Sequence, residues 1–353
     1  MRIASVGKAF PPHRYTQDEL LAEFRRIWSK HLFNPERLEQ LHRNVLVGGR
    51  HLALPLEEYH QLETFGDANN AWIRVGEQLG AAAIRDALER CDRSTSDIDA
   101  LFFVSVTGIS TPSLDARLMN RLRLSPSVRR TPIFGLGCVA GAAGIARAAD
   151  YLRAYPDRLA VLLSVELCSL TLQREDFSVA NLISSGLFGD GAAAVVLSGA
   201  DTDIARDTSG PWILATKSIF YPDTERLMGW DISERGFQVV LSAGVPDMVE
   251  NHLCGDVDAF LAEQGLDRSD IGSWVAHPGG PRVLEAMAAA LEIGADALEV
   301  TWRSLREVGN LSSASVLLVL GETMETRRPE PGSLGLLLAM GPGFCSELVL
   351  LRW

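Results

Sequence analysis

Residues 131–155 run without interruption from TPIFGLG into CVAGAAGIARAADYLRAY. The first piece reads as a strand and the second as a helix very rich in Ala and Gly. A helix with so small a face lets other backbones come close, as a helix buried at the centre of a fold must. The rest of the chain supplies partners for it. Apolar strand patterns fall at 2–7, 100–106, 158–167 and 192–198. Helical patterns fall at 16–30, with Thr16 as N-cap before Asp18 and Glu19, and at 70–91. The second half repeats this grammar: a strand at 213–221, helices at 246–265 and 281–291, a strand over 272–280 that enters a Gly-Pro turn, and a helix at 312–324. A strand pair around Gly341-Pro342-Gly343 closes the chain. Strands that are apolar throughout and alternate with helices predict an α/β architecture with sheets covered on both faces. The parallel between the halves points to a duplication, although no residue-level repeat is visible. The polar stretch 200–211 is the expected boundary, dividing 1–205 from 206–353.

Composition removes several function classes. With 353 residues and 47% hydrophobic content, the chain can bury a large core. Its net charge of −12 argues against a nucleic-acid partner, and a polyanionic ligand would need a local basic patch. The five cysteines (91, 138, 168, 254 and 345) are odd in number and form no C-x-x-C pair. No metal site or disulfide framework is therefore expected, and free thiols suit a reducing cytoplasm. The longest apolar stretch, near the C-terminus, is broken by Gly, Pro and Glu347, so no membrane span is expected. The N-terminal MRIASVGKAFPP has no signal-peptide run.

Three residues carry the chemistry. Cys138 sits where the strand meets the small-residue helix, and a thiol at a helix N-terminus is favoured as thiolate. Its bland reading is a small buried hydrophobe. His277 ends a buried strand and enters Pro-Gly-Gly-Pro, which aims it into a cleft unless it is a hydrogen-bonded core histidine. Asn310, in GNLSSAS, reads on its own as a turn or capping residue. Together they make one machine. A thiolate attacks an acyl thioester, and decarboxylation of a malonyl thioester then puts negative charge on an oxygen. A histidine N–H and an asparagine amide can stabilise that oxygen, and the same histidine can pair with the thiolate. Neither a metal nor a redox cofactor is needed.

The sequence resembles the type III polyketide synthases, the chalcone and alkylpyrone synthase group. The matching stretches are GLGCVAGAAG around Cys138, LFGDGAAAVVL at 187–197, WVAHPGGPRVL at 274–284, GNLSSASVLLVL at 309–320 and MGPGFCSELVL at 340–350. The resemblance implies a thiolase-like fold: two similar halves stacked as a five-layer α-β-α-β-α sandwich, in a homodimer that uses acyl-CoA and malonyl-CoA and no further cofactor. It assigns the nucleophile to Cys138, its partners to His277 and Asn310, and a phenylalanine beside the centre to Phe188. It also makes Gly341, Pro342 and Gly343 line the cavity. Basic residues of an N-terminal helix bind CoA phosphates in the family, which makes Arg37, Arg43 and Arg50 candidates here. Departures from the plant enzymes fall at Val239, where a second phenylalanine is expected, at Thr111, where a methionine is expected in the dimer-crossing loop, and at Cys168, a threonine in the family. The neighbouring threonine is kept as Thr171. Smaller or less polar walls imply an acyl tunnel past Thr111, Cys168 and Val239, fatty acyl starters, and alkylpyrone or alkylresorcinol products. Two alternatives share the fold. A ketoacyl-ACP synthase III has the same three residues but shows an asparagine-containing sequence where this chain has HPGGP. A non-catalytic acyl-binding subunit usually lacks the nucleophile.

Overall fold

The computed structural model describes residues 1–28 and 35–353. From the N-terminus it runs β1 (Arg2–Ala9), β2 (His13–Thr16), α1 (Gln17–Trp28), α2 (Pro35–Asn44), β3 (Gly49–Leu52), α3 (Phe65–Glu89), β4 (Ala100–Ser105), α4 (Leu114–Leu122), β5 (Arg129–Phe134), α5 (Ala140–Ala154), β6 (Leu159–Leu167), α6 (Val179–Leu187), β7 (Asp190–Ser198) and α7 (Asp203–Asp207). It continues with β8 (Trp212–Phe220), β9 (Met228–Ser233), β10 (Gly236–Leu241), α8 (Val245–Ala262), β11 (Ile271–Ala276), α9 (Pro281–Leu291), α10 (Glu299–Val308), α11 (Ser313–Thr326), β12 (Leu334–Gly341) and β13 (Cys345–Arg352).

The helix expected over 16–30 is α1, with 29 and 30 outside the described residues. Thr16 caps it. Its Oγ1 accepts from Glu19 N at 3.3 Å while the Glu19 carboxylate accepts from Thr16 N at 2.7 Å, a reciprocal capping box. The helix expected over 70–91 starts earlier, at Phe65, because Thr64 and Asp67 form a second capping box there. The break expected at 205/206 lies within α7. No expectation covered the hairpin β9–β10.

The main sheet repeats its own connectivity. On one side the order is β5-β4-β6-β7-β1, and on the other β8-β13-β12-β11, joined through the pair Arg2–Trp212. β1 and β7 are antiparallel, as are β7 and β6, while β6, β4 and β5 run parallel. Likewise β8 and β13 are antiparallel, as are β13 and β12, while β12 and β11 run parallel. The chain order β1, β4, β6, β7 is thus repeated as β8, β11, β12, β13. Among the described residues, the second side has no counterpart of β5.

Each buried strand sends alternate side chains to opposite layers. Ala160 and Leu162 of β6 face the central core, while Val161 and Leu163 face the outer core against α3. Leu337 and Ala339 of β12 face the centre, while Leu336 and Leu338 face α8 and α9. The layers are therefore α3, sheet, α5 with α11, sheet, and α8 with α9, the five-layer thiolase-like arrangement. Among the described residues, no helix is long and apolar enough to cross a membrane.

The two central helices touch where α5 has no side chain: a Cβ on Gly141 would lie 2.3 Å from Ser313 O. Helix propensity alone would make Gly141→Ala stabilising by about 1 kcal/mol. Overpacking against a backbone oxygen should instead cost about 1–3 kcal/mol. Urea unfolding should therefore show a lower midpoint for Gly141→Ala at unchanged slope, and a higher midpoint would refute the contact.

Candidate active site

The starts of both central helices open on one place. Cys138 lies in a single 3-10 turn, Gly137–Val139, between β5 and α5. Gly137 has φ +54°, and a Cβ there would sit 2.7 Å from Pro342 Cγ. The Gly341-Pro342-Gly343 turn therefore supports the nucleophile's turn from behind. Its flanks Met340 and Phe344 line the cavity around Cys138. His277 follows β11, and its N–H donates to Leu338 O at 3.0 Å. Asn310 lies between α10 and α11. Its N–H donates to Leu187 O at 2.9 Å, and its carbonyl accepts from Gly189 N at 3.0 Å. This approach requires Gly309, at φ +77°, where a Cβ would lie 2.7 Å from Leu187 O.

Cys138, His277 and Asn310 line one cavity together with Phe188. They are 7%, 2% and 2% exposed, so the chemistry is almost dry. Cys138 Sγ donates to Ser312 Oγ at 3.7 Å. Asn310 Nδ2 donates to Gly279 O at 3.2 Å, which leaves its second hydrogen for the cavity, and Oδ1 accepts from Ser312 N at 2.8 Å. Neither ring nitrogen of His277 has a partner among the described residues.

Burial pushes the Cys138 thiol up to about 12, against the Ser312 hydrogen bond that lowers it, and the charge of Glu166 adds to the rise. Burial pushes His277 down to about 3. At neutral pH the resting groups are therefore a thiol and a neutral imidazole. Between Cys138 and His277, charge arises as a pair. A proton passed from Cys138 to His277 makes a thiolate and an imidazolium within one cavity.

Two residues at the site escaped the sequence reading. Ser312 holds the thiol from a backbone conformation, φ +48° and ψ −126°, that a side chain rarely adopts. Glu166 lies at the end of β6, wholly buried, and accepts from Ser313 Oγ, from Thr107 Oγ1 at 2.8 Å and from Val106 N at 3.1 Å. A lone glutamate in RLAVLLSVEL was the available signal.

A second cavity adjoins the first. Cys168, Thr171, Val239 and Arg50 line it, and Phe188 lines both. Trp230 and Val239, from the unanticipated β9–β10 hairpin, form part of its wall. Thr111 is exposed and lines neither of these two cavities. Arg37 and Arg43 are exposed on α2, where Arg43 pairs with Glu39. Arg50 is a correction. It sits on β3, 2% exposed, and Nη1 donates to Ser185 O at 2.7 Å and Phe188 O at 2.8 Å, so it faces the interior and not a surface phosphate.

Cys138→Ala should lose the acyl adduct that the wild type forms with an acyl thioester, as intact-protein mass spectrometry would record. An adduct that survives the substitution would remove Cys138 as nucleophile. A second test concerns pH. Burial raises Glu166 from 4.5 to about 7. Folding therefore holds its proton more tightly, and its contribution is full below pH 4.5 and lost as pH rises through about 7. Between about pH 5 and about pH 8, Glu166→Gln should lose less stability in urea unfolding than the wild type does. Parallel losses would show that Glu166 titrates normally.

Comparison with known proteins agrees with this geometry. Residues 1–202 match the family profile "Chalcone and stilbene synthases, N-terminal domain", and residues 213–353 match its C-terminal counterpart. A 1,3,6,8-tetrahydroxynaphthalene synthase of Streptomyces peucetius subsp. caesius is 53% identical over 99% of this chain and 93% of its own length. A putative chalcone synthase of Bacillus subtilis is 38% identical over 99% of this chain and 98% of its own. The crystal structure of 1,3,6,8-tetrahydroxynaphthalene synthase from Streptomyces coelicolor A3(2), a bacterial type III polyketide synthase, superposes with a TM-score of 0.94 at 34% identity, covering 100% of this chain and 99% of that one. The ketoacyl-ACP synthase III and non-catalytic readings give way: the chain belongs to the chalcone and stilbene synthase family and is a type III polyketide synthase.

Proposed function

We propose that the enzyme primes and extends with malonyl-CoA alone and closes the chain to a tetrahydroxynaphthalene-type product. The observation that carries this reading is the 53% identity to a tetrahydroxynaphthalene synthase over nearly the whole chain. Cys138 passes its proton to His277, and the thiolate takes the acyl group as CoA leaves with a proton. Malonyl-CoA then loses carbon dioxide, and the enolate oxygen accepts from an imidazole N–H of His277 and from Asn310 Nδ2. The carbanion attacks the Cys138 thioester carbonyl, the bond to Sγ breaks and frees the thiolate, and the chain, two carbons longer, is left on CoA and returns to Cys138 by the same thioester exchange for the next round. Only coenzyme A thioesters take part, without metal or redox cofactor. Exposed Arg37 and Arg43 are the candidates for the CoA phosphates. The working form is a homodimer in the cytoplasm. In support of a dimer, β5 is an edge strand whose Phe134 is 52% exposed.

A second reading keeps fatty acyl starters and alkylpyrone or alkylresorcinol products. It is favoured by the apolar side chains Leu20, Phe24, Ile27 and Leu56 on the second cavity, beside Cys168 and Val239. Product analysis by mass spectrometry separates the two. Malonyl-CoA alone should yield the naphthalene product, and a product that forms only when a long acyl-CoA is added would establish the fatty starter. His277→Ala and Asn310→Ala should each slow malonyl-CoA decarboxylation about a hundredfold, the usual cost of one lost oxyanion donor. Decarboxylation at the wild-type rate in Asn310→Ala would reduce that residue to a turn former.

A further inference from the structure

Arg50 has more donors than its structural bonds use. A guanidinium carries five N–H groups. Nη1 serves the carbonyls of Ser185 and Phe188, but Nε and Nη2 have no partner among the described residues, in a side chain that is almost wholly buried. Burial lowers its pKa only to about 10, so it remains a cation at neutral pH. Asp190 supplies a compensating charge, yet its oxygens are taken by Ala53 N at 2.6 Å, Ser169 N at 2.8 Å and Ser169 Oγ. Buried charged donors left unpaired are costly, and their retention asks for a ligand. Arg50 lines the second cavity beside Ser184, whose Oγ is likewise buried without a partner. Phe188, which these donors adjoin, is shared with the Cys138 cavity.

We propose that Arg50, assisted by Ser184, binds the carboxylate that a malonyl starter carries, and holds it in the second cavity while the chain grows from Cys138. This rests on the malonyl-primed reading above. The ten ring carbons of a naphthalene are five two-carbon units, so the starter's own carboxyl must leave at some step. Its departure breaks the bond to carbon dioxide and moves the electron pair onto the neighbouring carbonyl, which then takes up a proton. Two N–H bonds to the carboxylate stabilise it before that step and delay the loss until the chain has formed. An alkyl end offers these donors nothing, so the same residue selects against fatty starters.

The test compares purified wild type with Arg50→Met, Ser184→Ala and Arg174→Met, the last removing the other guanidinium on this cavity. Each receives malonyl-CoA alone, or hexanoyl-CoA with malonyl-CoA. Arg50→Met should lower the ratio of malonyl-primed to hexanoyl-primed kcat/KM about tenfold, the effect of lost charge-assisted bonds. The malonyl adduct on Cys138 should give way to an acetyl adduct. An unchanged ratio, with both rates equally reduced or both intact, overturns the proposal and leaves Arg50 as a brace for Phe188. A larger shift in Arg174→Met than in Arg50→Met overturns it too. Should Arg50→Met not fold, Ser184→Ala keeps the Nη1 bonds and should lower the same ratio, and no change there decides against the proposal. If the wild type makes no naphthalene product from malonyl-CoA alone, it is the malonyl-primed reading that fails.

Discussion

The contact between Gly141 and the Ser313 carbonyl fixes the geometry on which the site depends. It lets α5 and α11 lie together between two sheet surfaces. Leu162 and Val195 pack from one sheet and Leu337 and Val349 from the other, so neither helix can slide without opening a void. The chain then enters each helix through a short turn at the same end of the layer. One turn brings Cys138 and the other brings Asn310 and Ser312. His277 arrives from the end of β11, in register with β12 through Leu338. The reacting groups are thus held by layers and not by one another, and the hydrogen bonds among them are left free to serve a substrate.

Dryness decides how such a site works. The burial that keeps Cys138 a thiol and His277 a neutral base also strengthens every donor aimed at a developing oxyanion. A surface thiolate would be more reactive and less selective. Here the nucleophile becomes charged when its proton has somewhere to go, and the imidazole in the same cavity is that place.

The sequence carried the architecture because its signals were local and repetitive: apolar strands, a helix of alanine and glycine, and five motifs in order. It placed Cys138, His277 and Asn310, which the structure brings to one cavity, and Cys168, Thr171 and Val239, which it brings to the next. It misjudged what depends on direction. Nothing in the spacing of Arg37, Arg43 and Arg50 distinguishes an arginine on an exposed helix face from one on β3 that points inward. Ser312 was hidden because its role comes from an unusual backbone angle. The matching connectivity of the two sheet sides was legible as a repeated strand–helix grammar but not as a residue-level repeat, since topology survives where residue identities do not.

Part of the second cavity's wall comes from the periphery. Leu20, Phe24 and Ile27 belong to α1, and Trp230 and Val239 to a two-stranded hairpin outside the main sheet. None of these five is part of the central core that holds the two helix starts. Changes in what the pocket admits can therefore accumulate at positions outside the core that holds the two helix starts. For evolution this separates two kinds of mutation that most enzymes must reconcile. One set tunes the product, the other preserves the catalyst, and a lineage can explore the first without putting the second at risk.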